Sequence, residues 1–137
     1  MTDPATPLLL GPDEGRHYRM PAMRAVFKVD GAETAGRYAV SEWWIEPHSP
    51  GPGPHAHADN DEIFYGIGGT LSVLLGEQWH ALVPGGFMRI PAGMTHDFDN
   101  RTDRLAGLLN LFIPGDFEKD MPEILRWYEE NPTAAES

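Results

Sequence analysis

Apolar residues in this chain come in short runs, cut every few positions by glycine and proline. Arg24 to Val29 reads as a strand, with Asp30-Gly31 as the turn after it. Thr34 and Gly36 precede a second strand, Arg37 to Ile45, rich in aromatic and β-branched side chains. Pro47 to Pro54 holds four prolines, which remove ladder donors, so this stretch is a loop. Beyond it, Glu62 to Ile67 turns at Gly68-Gly69 into Thr70 to Leu75, as a hairpin does. Gly76-Glu77 turns into Gln78 to Val83, and Pro84-Gly85-Gly86 into Phe87 to Ile90. Pro91-Ala92-Gly93 leads to Thr95 to Phe98, then a polar stretch from Asn100 to Asp103 and a long apolar strand, Leu105 to Ile113. Some eight to ten strands at such short intervals describe a barrel or sandwich.

Both ends depart from this pattern. Residues 1–22 carry four prolines and little periodicity, and read as an arm lying across a barrel or a partner, with Leu8 to Leu10 packing there. At the other end Phe117, Met121, Ile124, Leu125 and Tyr128 recur at helical spacing, with Pro122 near a first turn and Asn131-Pro132 as a stop. Trp127 and Tyr128 could form a ligand-binding box, but an aromatic stripe on a helix is more often core. Packing against the barrel is the expected role. The partition is therefore an arm over 1–22, a barrel over 23–116, and a helix and tail over 117–137 packed on the barrel.

At 137 residues the chain suits one well-buried core and is short for two domains. Its 15 glycines and 13 prolines are spread between the apolar runs, which argues for turns and not for disorder. The net charge of −11 repels phosphate backbones, and no basic stripe is present, so no nucleic-acid partner is expected. The absence of cysteine excludes disulfides and thiolate metal ligands. The N-terminus lacks a basic region and an adequate apolar core for a signal peptide. No apolar stretch reaches the roughly 18 residues of a membrane span. A cytoplasmic protein is the default expectation.

Three imidazoles and a carboxylate stand out against this background. His55 and His57, two apart on an extended segment, point the same way. Glu62 follows a polar Ala58-Asp59-Asn60-Asp61 turn that can fold it back beside them, and His96 lies further along. Neutral imidazole suits Zn, Fe, Ni or Cu, and a carboxylate adds a preference for harder ions such as Mn. One divalent ion, its identity open among these five, is the expected cofactor. Asp59 and Asp61 read as turn caps in solvent. His17, His48 and His80 read as ordinary surface or hydrogen-bonded histidines.

These residues resemble the two signature motifs of the cupin family. In the first motif, H-x-H is followed by three or four residues, E, six residues and G, and here His55, His57, Glu62 and Gly69 match it. In the second, G, five residues, P-x-G, two residues, H, three residues and N are matched by Gly85, Pro91, Gly93, His96 and Asn100. The interval between the motifs, residues 70–84, is the short one seen in small microbial cupins. One departure is that the family's opening glycine falls at Ser49, and the nearest glycine is Gly51, a position that serves a turn and not the metal. The resemblance implies an all-β fold, the double-stranded β-helix or cupin jelly-roll barrel, here with a short C-terminal helix. It also implies that His55, His57, Glu62 and His96 are metal ligands facing the barrel mouth, with coordination positions left open.

The run from His57 to Tyr65 looks like small single-domain bacterial cupins, some similar to quercetin 2,3-dioxygenases. That likeness implies a metal-dependent oxygenase of a small aromatic or enolisable substrate, with Glu62 as the catalytic proton acceptor when it is not engaged by the metal. A metal-dependent lyase or isomerase uses the same quartet, and a non-catalytic protein binding a small ligand or metal is the other alternative. By strand parity Phe64 and Phe98 face inward, with Trp44 (or its neighbour Trp43) and Met88 as further wall positions. These aromatics either shape a substrate pocket or merely fill the barrel. Sheet edges and an apolar outer face need cover, so a homodimer is expected, built on the arm and the 24–29 strand.

Overall fold

On the strand Ala39–Ile45 the buried positions are Ala39, Ser41, Trp43 and Ile45, the period-two burial of a sheet with one face in a core. The computed structural model describes residues 3–131 and repeats this alternation through an antiparallel framework. In chain order the elements are β1 (Arg16–Met20), β2 (Met23–Val29), α1 (Gly31–Thr34), β3 (Ala39–Ile45), β4 (Asp61–Gly68), β5 (Leu71–Leu75), β6 (Gln78–Leu82), β7 (Phe87–Ile90), β8 (His96–Asp99), β9 (Ala106–Ile113) and α2 (Met121–Glu130). A turn of 3₁₀ helix, Glu118–Asp120, leads into α2. One sheet has the order β1-β2-β3-β9-β4-β7 and faces a second of order β6-β5-β8. This is the all-β jelly roll with a short C-terminal helix. Among the described residues no helix is long and apolar enough to cross a membrane.

The core between the sheets is built from Phe27, Trp43, Phe64, Leu71, Phe98 and Leu108, with Met121 and Tyr128 of α2 closing one end. Phe27 meets Trp43 edge-on at 6.2 Å and stacks on Phe117 at 5.9 Å, so the barrel and the C-terminal segment share one aromatic cluster. Polar contacts fix that segment as well. Asp30 accepts backbone hydrogen bonds from Asp116 (2.6 Å), Phe117 (3.2 Å) and Glu118. Arg16 bridges Glu33 and Glu118, and the Tyr18 hydroxyl donates to Glu118 at 2.6 Å. Burial and that carboxylate push the Tyr18 phenol up to about 12.

The strand boundaries match the sequence pattern within two residues, with three differences of substance. Arg16–Met20, inside the expected arm, is a strand paired with β2. Its charged residues face solvent on a sheet edge, which hides it from a hydrophobic pattern. The expected turn at Asp30-Gly31 is a short helix with a full capping box, Asp30 capping and Glu33 returning to the cap backbone. The 24–29 strand lies between β1 and β3 and has no free edge to offer a partner. Pro132 and the rest of the expected tail lie outside the described residues.

Gly51 has a role the turn reading did not give it. A side chain there would run into the backbone carbonyl of Phe98. Gly51→Ala is expected to cost about 1–3 kcal/mol as the loop or β8 moves aside. Urea unfolding of the variant and its parent measures this.

Candidate metal centre

Two backbone bridges carry the loop before β4 alongside β8. Ser49 pairs with Asn100, and His55 with His96 through reciprocal hydrogen bonds of 2.9 and 2.8 Å. The pairing sets His55 directly across from His96, and His57 lies one pleat along on the same side. Ring centroids are 4.3 Å apart for His55 and His96, 5.1 Å for His55 and His57, and 5.5 Å for His57 and His96. One nitrogen from each ring lies within 4.8 Å of the other two. Glu62, on β4, completes the group: its Oε2 is 2.6 Å from His96 Nε2 and its Oε1 is 3.9 Å from His57 Nε2.

The surroundings prepare two of these rings as ligands. His55 Nδ1 donates to the Gly53 carbonyl at 2.7 Å, and His96 Nδ1 to the Met94 carbonyl at 3.0 Å. A carbonyl only accepts, so Nδ1 carries the proton and Nε2 keeps a free lone pair. Asn110 donates to Glu62 Oε1 at 3.1 Å. Asp97 accepts from the backbone N–H of Gly53 at 3.0 Å and so holds the turn whose carbonyl orients His55.

His57 Nε2, His96 Nε2 and Glu62 Oε2 are buried and have no hydrogen-bond partner among the described residues. With the ring proton on Nδ1, the 2.6 Å approach sets His96 Nε2 and Glu62 Oε2 face to face as two acceptors. Burial lowers the His96 pKa, but the Glu62 carboxylate outweighs it and raises it, so the pair draws in a cation or a second proton. Buried polar atoms left unpaired cost about 1–3 kcal/mol each, so three of them converging on one point fit a bound cation. Burial holds the pKa values of His55 and His57 below the ordinary range, leaving both rings neutral near pH 7. Burial alone would raise the Glu62 carboxyl, but His96 and the Asn110 amide outweigh it and keep it low, so Glu62 is a carboxylate. The three histidines can hold a metal ion, with a carboxylate beside them.

Above the cluster lies a cavity of about 350 Å³. Phe64, Phe98 and Trp43 form its inner wall, and Phe117, Ile124, Trp127 and Tyr128 its cover. No lysine or arginine lines it among the described residues. Phe64 and Phe98 thus stand where parity put them, 5.6 Å apart edge-to-face. Trp44, the expected wall residue, does not. It is half-buried on the outer face, laid across Gly68 and Gly107, with Arg24 stacked over its ring at 5.7 Å. Trp43 is the one that faces in, 6% exposed. Met88 pairs with Phe64 in register and packs on the core, but does not line the cavity.

Tyr128 joins the core as expected of a helical stripe, yet also lines the cavity, as does Trp127, which remains 48% exposed. Asp59 and Asp61 are exposed, and Asp61 accepts from the Ala92 backbone at 2.9 Å. His17, His48 and His80 lie away from the cluster: His17 contacts the Asp13 carbonyl, His48 sits in a turn at φ 52°, and His80 is exposed on β6. Sequence reasoning missed Asn110 and Asp120. Asn110 gave a signal, a polar residue inside the apolar Leu105–Ile113 run, whereas Asp120 reaches the cavity only through the docking of α2.

Comparison with known proteins agrees with the fold. No curated protein matches the chain in sequence. Among solved structures, KdgF from Halomonas sp. superposes with a TM-score of 0.72 at 18% identity, over 83% of this chain and 99% of that one. Oxalate decarboxylase from Bacillus subtilis, studied for its Mn(II) centres, gives a TM-score of 0.67 at 19% identity over 77% of this chain, which spans 29% of that longer one. Ectoine synthase from P. lautus gives 0.66 at 12% identity, over 79% of this chain and 75% of that one. Identities this low speak for the fold alone. In sequence, residues 41–112 match the cupin domain family, and since that is more than half of the 137 residues, the chain belongs to the cupin family.

Proposed function

We propose that the protein is a mononuclear metal enzyme whose ion is held by His55, His57, Glu62 and His96, and that it oxygenates a small aromatic or enolisable molecule. The observation that carries this is the convergence of unpaired buried atoms from His57, Glu62 and His96 at the floor of a largely aromatic cavity. When bound, a divalent ion supplies Lewis acidity and open positions for substrate and oxygen. The protein supplies the rest. The Gly53 and Met94 carbonyls fix two imidazoles, Asn110 fixes one oxygen of Glu62, and Phe64, Phe98 and Trp43 exclude water.

A cavity at the small end of the roughly 300–1,000 Å³ usual for ligand sites suits a molecule of one or two rings. Without arginine or lysine among the described residues of its lining, it offers no salt bridge to a carboxylate or phosphate, which disfavours an anionic substrate. Glu62, ionised and held on one oxygen, is positioned to accept a proton from a substrate hydroxyl or carbon acid. A lyase or isomerase could use the same proton acceptor without oxygen, and Glu62 is the observation that favours that second reading.

An oxygen electrode separates the two. Metal-loaded protein given catechols, flavonols and β-diketones should consume oxygen in proportion to substrate lost. Conversion without oxygen uptake would establish the lyase or isomerase. No conversion of any compound would leave a binding protein.

Two further outcomes follow from this reading. Asn110→Leu removes the donor to Glu62 and should lower metal affinity about 10–100-fold, read by competitive titration against a chromophoric chelator. The chain should also be a homodimer, because Leu8 and Leu9 of the arm are exposed, as are Tyr65 and Phe87, which pair in register at the β4–β7 edge. Light scattering should return the mass of two chains, and 15.2 kDa would refute pairing.

A further inference from the structure

The cavity mouth holds one carboxylate that the metal centre does not use. Asp120 occupies the N-cap position of α2, yet its side chain makes no capping bond. The side chain is exposed at the cavity mouth and has no ion-pair or hydrogen-bond partner among the described residues. Glu62, the other carboxylate in the lining, belongs to the histidine cluster, facing His96 and accepting from Asn110. The lining of the mouth is aromatic, formed by Phe117, Trp127 and Tyr128. Phe117 is stacked on Phe27 and Tyr128 is buried edge-on to Trp127 at 5.0 Å, so Trp127, 48% exposed, is the side chain left open. The hydrogen bonds from Asp116, Phe117 and Glu118 to Asp30 hold this segment in place, so the arrangement is built before any ligand arrives.

An unpaired carboxylate on the same cavity rim as an exposed tryptophan ring is the chemistry that recognises an organic cation, through charge and through the ring quadrupole together. We propose that Asp120 and Trp127 form a subsite for a protonated amine, so that the natural ligand is a small aromatic or apolar amine with its ammonium at the cavity mouth. This rests on the reading of the cavity as a substrate pocket and is independent of oxygen chemistry. It narrows the substrate class: the body packs against Phe64, Phe98 and Trp43, and the ammonium faces Asp120.

The test is binding, read by tryptophan fluorescence on zinc-loaded protein at pH 7 with three probes of one shape, phenethylamine, 2-phenylethanol and phenylacetate. Asp120→Asn should weaken phenethylamine about tenfold while leaving 2-phenylethanol within about twofold. Asp103→Asn, a like change of charge in the β8–β9 turn, should leave all three unchanged. Equal effects of Asp120→Asn on amine and alcohol, or an unaltered amine affinity, would overturn the subsite. Failure of every probe to bind would overturn the pocket reading and the subsite with it. A negative oxygen-electrode result beside a lost amine preference would defeat the oxygenase reading alone.

Discussion

His96→Ala is expected to lose metal and turnover together, and by more than any other single change in the site. His96 is the ring that joins the two halves of the cluster. Its backbone pairs with His55, its Nδ1 is pinned by Met94, and its Nε2 faces Glu62 at 2.6 Å. Removing a partner that only orients a ligand costs about 10–100-fold in metal affinity, so removing this donor should exceed that range. Metal analysis after dialysis should find the variant near empty where the parent retains its ion. Circular dichroism checks that the barrel has survived, since the backbone bridge to His55 does not depend on the imidazole.

Glu62→Gln should behave differently. Three neutral nitrogen donors remain to hold the ion, and glutamine can still accept from the Asn110 amide through its carbonyl oxygen. What disappears is the negative charge and the proton acceptor. Turnover should fall by about 100–10,000-fold, the usual worth of general acid–base catalysis, while metal occupancy at saturating ion is retained. Turnover equal to the parent at full loading would remove Glu62 from the chemistry and leave it a structural neighbour of His96.

The histidine cluster was the most legible part of this sequence because its spacing is local. Two histidines one pleat apart and a glutamate after a four-residue turn need little tertiary information, and the matching Pro91-x-Gly93 turn places His96. Strand positions were legible for a similar reason, since glycine and proline mark nearly every turn. What failed depended on partners distant in sequence. Trp43 and Trp44 are adjacent, so parity alone cannot choose between them. The choice is made by Gly107 and Gly68, whose bare backbones give the Trp44 ring a flat bed on the outside of the sheet. β1 went unread because Arg16, His17 and Arg19 mask an edge strand whose inward contribution is Tyr18 and Met20. The cavity's cover depends on how α2 docks, and the Asp30 contacts that dock it span more than eighty residues of chain.

The central claim, a single ion held by these four side chains, is tested most directly by anomalous diffraction from crystals soaked in Mn(II). The account predicts one strong peak per chain at bonding distance from His55, His57, Glu62 and His96. A peak elsewhere, or none at the cluster while its four side chains are ordered, would contradict it.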